Sequence, residues 1–74
     1  MTPVEIFEYK QKWMGSGDNN PISIHSDKRR KALEWCRKNL YRHQWNIVQY
    51  TDVYEDTFFF EHKLASENFE KNLK

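Results

Sequence analysis

The run Thr57-Phe58-Phe59-Phe60-Glu61 constrains the fold more than any other stretch of the chain. Side chains alternate across a strand, so three consecutive phenylalanines send large apolar groups to both faces. A strand greasy on both faces belongs in the middle of a sheet with cover on each side, not at a solvated edge. The remaining elements have to be arranged around it. About chemistry the run says little, because it describes a core and not a site.

The other elements read from local signals. Thr2-Pro3-Val4-Glu5 is a capping box with proline at the first helical position, which predicts a helix starting there. Ile6, Tyr9 and Trp13, flanked by Phe7 and Met14, give that helix an apolar stripe. The polar stretch from Gly15 to Pro21 ends it. Ile22-Ser23-Ile24-His25 alternates and predicts a short strand. Ser26 or Asp27 caps a second helix running to about Leu40, with Leu33, Cys36 and Leu40 on one face. A second strand is expected from Trp45 to about Tyr54, with Ile47 and Val48 on opposite faces. Glu55-Asp56 reads as the hairpin turn before the phenylalanine strand, although it lacks an Asn-Gly or Asp-Gly signature. From His62 to about Leu73, Ala65, Phe69 and Leu73 recur at helical spacing.

The resulting order, α-β-α-β-β-α, describes one α+β domain over residues 1–74. Burial of the phenylalanine strand on both faces places it between the other two, giving a three-stranded sheet of order 1-3-2. That is a split β-α-β arrangement, ferredoxin-like but without its fourth strand. The second and third helices cover one sheet face. The other needs the N-terminal helix or another chain, and the first strand is left as a free edge.

Composition narrows the function classes. A chain of 74 residues buries only about 60% of the surface it exposes when unfolded, and this one compensates with five Phe, four Tyr and three Trp. The single Cys36 excludes an internal disulfide, and no run approaches the ~18 apolar residues of a membrane span. No signal-peptide pattern opens the sequence, so a soluble cytoplasmic protein is expected. The net charge of +1 supplies no global field toward nucleic acid or membrane. Charge is nonetheless segregated, with a basic middle (Lys28 to Arg42) and an acidic end (Asp52 to Glu70).

Four groups of residues merit weighing as sites. His25, His43, His62 and Cys36 match no metal-ligand spacing, and Cys36 falls on the apolar face of its helix, so no metal is expected. Glu55, Asp56 and Glu61 read as turn carboxylates, since a chain this short has little left to wall a catalytic cleft. Gly15-Ser16-Gly17 follows a helix and lacks the Gly-Lys-Ser/Thr of a phosphate loop. No cofactor and no enzymatic activity are therefore expected. Arg30, Lys31, Arg37, Lys38 and Arg42, with Trp35, Tyr41 and Trp45 nearby, form the fourth group. They are suited to gripping phosphates and stacking bases, which makes nucleic-acid binding through residues 28–42 the alternative function. Against it, Asp27 and Glu34 stand where they can pair with Lys31 and Lys38.

The opening Met1-Thr2-Pro3-Val4-Glu5-Ile6-Phe7-Glu8-Tyr9-Lys10, the turn His25-Ser26-Asp27 before Glu34-Trp35-Cys36-Arg37-Lys38-Asn39-Leu40, and the stretch Thr51 to Glu61 leading to Ala65 and Phe69 resemble small uncharacterised proteins of tailed phages of the T-even-like and marine cyanophage type. The resemblance spans nearly the whole chain. It implies an accessory protein acting in the host cytoplasm and names no site. The leading expectation is a protein-interaction module, homodimeric, using the first strand's edge or an incompletely covered sheet face. Trp13, Ile22, Ile24, Tyr50 and Phe59 are its candidate contact residues.

Overall fold

Strand β3 (Glu55–Phe60) lies between β1 (Ile22–His25) and β2 (Trp45–Tyr50) and runs antiparallel to both, so the order is 1-3-2 as its two-sided apolarity requires. The computed structural model describes residues 1–50 and 52–74. Three helices complete the α+β fold: α1 (Pro3–Met14), α2 (Arg29–Asn39) and α3 (Lys63–Leu73). A three-residue 3-10 turn, Ser26–Lys28, precedes α2, and a second, Arg42–Gln44, precedes β2.

Register separates the two faces of the sheet. Phe58 stands opposite Ile22 and Ile47, Phe60 opposite Trp45, and Asp56 opposite Ile24 and Gln49. Directly opposed residues share a face, so this set points one way, toward α2 and α3. There Phe58, Phe60, Phe69, Ala32 and Cys36 are fully buried. Phe69 is the hub: its ring centroid lies 4.9 Å from Phe58, 4.9 Å from Phe60 and 5.6 Å from Trp35. Burying each phenylalanine contributes about 1.5–3 kcal/mol, which is why a chain this short can hold one core.

The helix ends follow their sequence signals unevenly. Around α1 the box closes as its spacing demands, Glu5 N–H donating to Thr2 Oγ1 (3.2 Å) and Thr2 N–H to Glu5 Oε1 (3.1 Å). That hydrogen bond holds the Glu5 carboxyl below its ordinary range. Gly17, at φ +87°, turns the chain after α1. The connector then fastens to β3, with Phe60 N–H on Asn19 O and Asn20 Nδ2 on Phe60 O. Neither Ser26 nor Asp27 caps α2. Both lie inside the 3-10 turn, which is itself capped by His25 Nδ1 accepting from Asp27 N–H (3.2 Å), and the N-cap of α2 is Lys28, which makes no side-chain cap bond.

The hairpin also departs from expectation. Glu55 and Asp56 are strand residues, and residues 52–54 make the turn. Asp56 is drawn into the strand by a partner that local sequence cannot show, Arg29 on α2. Strand β2 therefore ends at Tyr50, not near Tyr54, and Thr51, expected within it, lies outside the described residues. Helix α3 begins at Lys63, with His62 as its N-cap.

Candidate functional site

Glu55 and Asp56 are not turn carboxylates, because both lie within β3. Asp56 has no exposed surface and is gripped by Arg29 through Nε–Oδ2 (2.8 Å) and Nη2–Oδ1 (3.0 Å). Asp56 raises the Arg29 guanidinium above its ordinary pKa. The bidentate geometry is that of a strong charge-assisted pair, and it ties the first turn of α2 to the middle of the sheet. Its role is structural. Glu61 instead accepts a hydrogen bond from the Tyr9 hydroxyl, which raises the Tyr9 pKa and ties α1 to the end of β3.

The second sheet face carries Ser23 and His25 from β1, Thr57 and Phe59 from β3, and Asn46, Val48 and Tyr50 from β2. Helix α1 covers it only in part. It packs chiefly on the Arg42–Gln44 turn, where Trp13 Nε1 donates to His43 O (2.9 Å) and Tyr9 meets the His43 ring edge-on. Trp13 is buried but separate from the core behind Phe58. Val48 and Phe59 remain half-buried, and Tyr50 is 50% exposed. Between α1 and this face runs a cleft of about 380 Å³ lined by Ile6, Phe7, Met14 and Asn46 among others, with Phe7 61% exposed.

Of the expected contact residues, the fold brings Tyr50 and Phe59 to this open face. Trp13 and Ile24 are buried within the chain, and Ile22 packs against the core from the helix-covered side. Only the backbone edge of β1 remains for contact there. Phe7 and Val48 were not singled out from the sequence. Phe7 stood beside the apolar stripe of α1, and the signal was there, since it falls outside that stripe's buried centre.

The basic residues divide. Arg30 and Lys31 stand in the first turn of α2, exposed, and the anticipated Asp27–Lys31 and Glu34–Lys38 pairs do not form. Asp27 lies in the 3-10 turn, off the i,i+4 helical spacing, and approaches His25 instead (3.3 Å). Exposed pairs such as Glu34–Lys38 gain too little to fix two long side chains. Arg37 and Arg42, however, converge with Lys10 of α1 and the Trp45 ring around a cleft of about 360 Å³. Lys10 Nζ lies 5.5 Å from the Trp45 ring centroid. Burial first, and then the Arg42 charge, lowers the Lys10 pKa. Trp45 Nε1 is the one buried side-chain polar atom without a partner among the described residues, a state that costs about 1–3 kcal/mol. Beside this cleft, Arg37, Lys38 and Tyr41 border a second one, where Tyr41 is 73% exposed and stacks on His43.

Among the described residues no group of three or more His, Cys, Asp or Glu could hold a metal ion. The three histidines lie apart: His25 and His62 are at the surface, and His43 sits between Tyr9 and Tyr41. Burial pushes the Cys36 thiol up to about 12, which keeps it protonated and unreactive at neutral pH. No described helix is long and apolar enough to cross a membrane. What fold and surface define is a small α+β protein with a split β-α-β sheet, a half-open sheet face and two adjoining basic clefts among the described residues. No protein-family model, curated protein or solved structure matches the chain.

Proposed function

We propose that the chain is a protein-interaction module that self-associates through the open face of its sheet. The observation that carries this reading is the incomplete cover of that face. Helix α1 stops at the Arg42–Gln44 turn, leaving Phe59, Val48, Tyr50 and the neighbouring Phe7 with apolar surface in water. A domain of this size has a marginal core, and burying such a face against a second copy is a direct way to add stability. A twofold interface needs one self-complementary patch, and half-buried Val48 and Phe59 with exposed Tyr50 are the side chains this face offers to one. The low net charge removes the long-range repulsion that would oppose pairing.

On this reading the protein is not an enzyme. The resemblance to small tailed-phage proteins supports an accessory role in the host cytoplasm, as a homodimer or bound to a host or viral protein. Sedimentation velocity at micromolar concentration tests it. A dimer is expected, and the double variant Phe59→Ser, Tyr50→Ser should be monomeric with unchanged far-UV circular dichroism. A wild-type protein that sediments only as monomer refutes self-association.

A further inference from the structure

We infer that the cleft between α1, the end of α2 and the Arg42–Gln44 turn is a binding site for a phosphoryl anion, held by Lys10, Arg37 and Arg42 beside Trp45. Three cations from three separate elements line one cleft of about 360 Å³ together with a single aromatic residue, and no carboxylate lines it with them. Among the described residues none of the three is in an ion pair. Arg29 holds Asp56, Lys28 Nζ donates to Leu73 O and Lys74 meets Glu70, while Lys12, Arg30, Lys31, Lys38, Lys63 and Lys71 are also outside any ion pair among the described residues. What sets Lys10, Arg37 and Arg42 apart is their convergence on one cleft.

The bland explanations cover only part of this cluster. Arg37 and Lys38 occupy the last turn of α2, where the helix dipole favours cations without any ligand. Lys10 has no such reason to be there. It is brought from another helix, partly desolvated, against Arg42, and its lowered pKa records the cost. Its one compensating contact is the Trp45 ring. Clustered, mutually repelling cations, one of them partly desolvated, are what a bound oxyanion would relieve.

Phosphate fits better than carboxylate because its charge and three or more acceptor oxygens can engage all three cations at once. Two sources carry that group. Free phosphate or a phosphomonoester would fill this cleft alone. A nucleic-acid strand would continue into the neighbouring cleft, which shares Arg37 and adds Lys38 and the exposed Tyr41 ring as a stacking surface. The site does not depend on self-association, although Lys10 and Arg42 also border the cleft beneath α1.

The test follows the indole N–H resonances of the ¹⁵N-labelled full chain during titration with inorganic phosphate and, separately, with an oligothymidylate. Running it also on Phe59→Ser, Tyr50→Ser separates failure of this site from failure of the dimer. A saturable shift of the Trp45 indole signal is expected. Lys10→Met and Arg42→Gln should each weaken binding by about tenfold or more, while Arg30→Gln and Lys31→Gln leave it nearly unchanged. Tighter oligonucleotide binding that falls steeply with salt assigns the strand as source; equal or exclusive binding of inorganic phosphate assigns the free anion. Absence of any saturable Trp45 shift with both probes overturns the proposal. So does equal weakening by Arg30→Gln and Arg42→Gln, which would mean diffuse attraction to a basic surface.

Discussion

Arg29 holds Asp56 by two parallel contacts of 2.8 and 3.0 Å, with the carboxylate fully buried and the guanidinium side chain still 40% exposed. That asymmetry sets what each truncation costs. Removing Arg29 leaves a carboxylate stranded opposite Ile24 and Gln49 in the sheet. Removing Asp56 leaves a cation that can turn to water. Arg29→Ala is therefore expected to cost about 3 kcal/mol or more and Asp56→Ala clearly less, about 1–2 kcal/mol. Urea denaturation of both single variants and the double variant measures this. Equal costs for the two single variants would contradict the account.

The same comparison applies to adjacent phenylalanines. Phe58 is fully buried against Phe69, whereas Phe59 points to the half-open face. Phe58→Ala should cost about 3–5 kcal/mol, close to the whole stability of a domain this size, and leave a protein largely unfolded. Phe59→Ala should cost about 1 kcal/mol in the monomer. Circular dichroism and urea midpoints of the two variants, taken below the dimerisation range, separate them. A larger cost for Phe59 would mean that α1 covers the second face more fully than its packing on the Arg42–Gln44 turn implies.

These contrasts show which physics was legible in the sequence. The phenylalanine run fixes the central strand because alternation is a local property, and the capping box fixes the start of α1 for the same reason. From the two-sided burial of that strand the sheet order follows. Asp56 was misread because Glu55-Asp56 between two strands looks like a turn, and its partner lies 27 residues away in sequence. Lys10 was missed altogether. A lone lysine on an amphipathic helix looks solvated until the chain folds Arg42 and Trp45 against it. Arg30 and Lys31 were grouped with Arg37 for being on one helix, yet they stand in its first turn and Arg37 in its last. Sequence proximity identified a basic segment, and tertiary structure selected which of its charges share a cleft.

Tyr9 gives the fold an alkaline limit. Its hydroxyl donates to the Glu61 carboxylate, an interaction that ionisation of the phenol would turn into repulsion, so its pKa is raised above the ordinary value of 10.0. A group whose folded pKa is raised stabilises below the unfolded pKa and loses that contribution as pH rises through the folded one. Wild-type stability should therefore hold to about pH 10 and then decline, and Tyr9→Phe should show a smaller decline over the same range. Urea midpoints of the two proteins from neutral pH to about pH 11 provide the check. Parallel curves would mean that the Tyr9–Glu61 contact contributes nothing to docking α1.

Lys10 is expected to separate stability from binding. Its pKa is lowered by burial and by Arg42, so folding disfavours the charged ammonium. The sign follows from linkage: the charged form weakens the fold at neutral pH, and the penalty fades as pH rises through the lowered folded pKa toward the unfolded value of 10.5. Lys10→Met removes that penalty while keeping most of the side chain's apolar length, at the loss of a contact with the Trp45 ring that is worth about 0.5–1 kcal/mol. The variant should match or exceed wild type in thermal midpoint at neutral pH, and any gain should shrink on approaching about pH 10. Added phosphate should then raise the midpoint of wild type clearly more than that of the variant, because an anion stabilises the folded state only as far as it binds it. A clearly less stable variant would mean that Lys10 is there to pack on Trp45, and its place in the cleft would be structural.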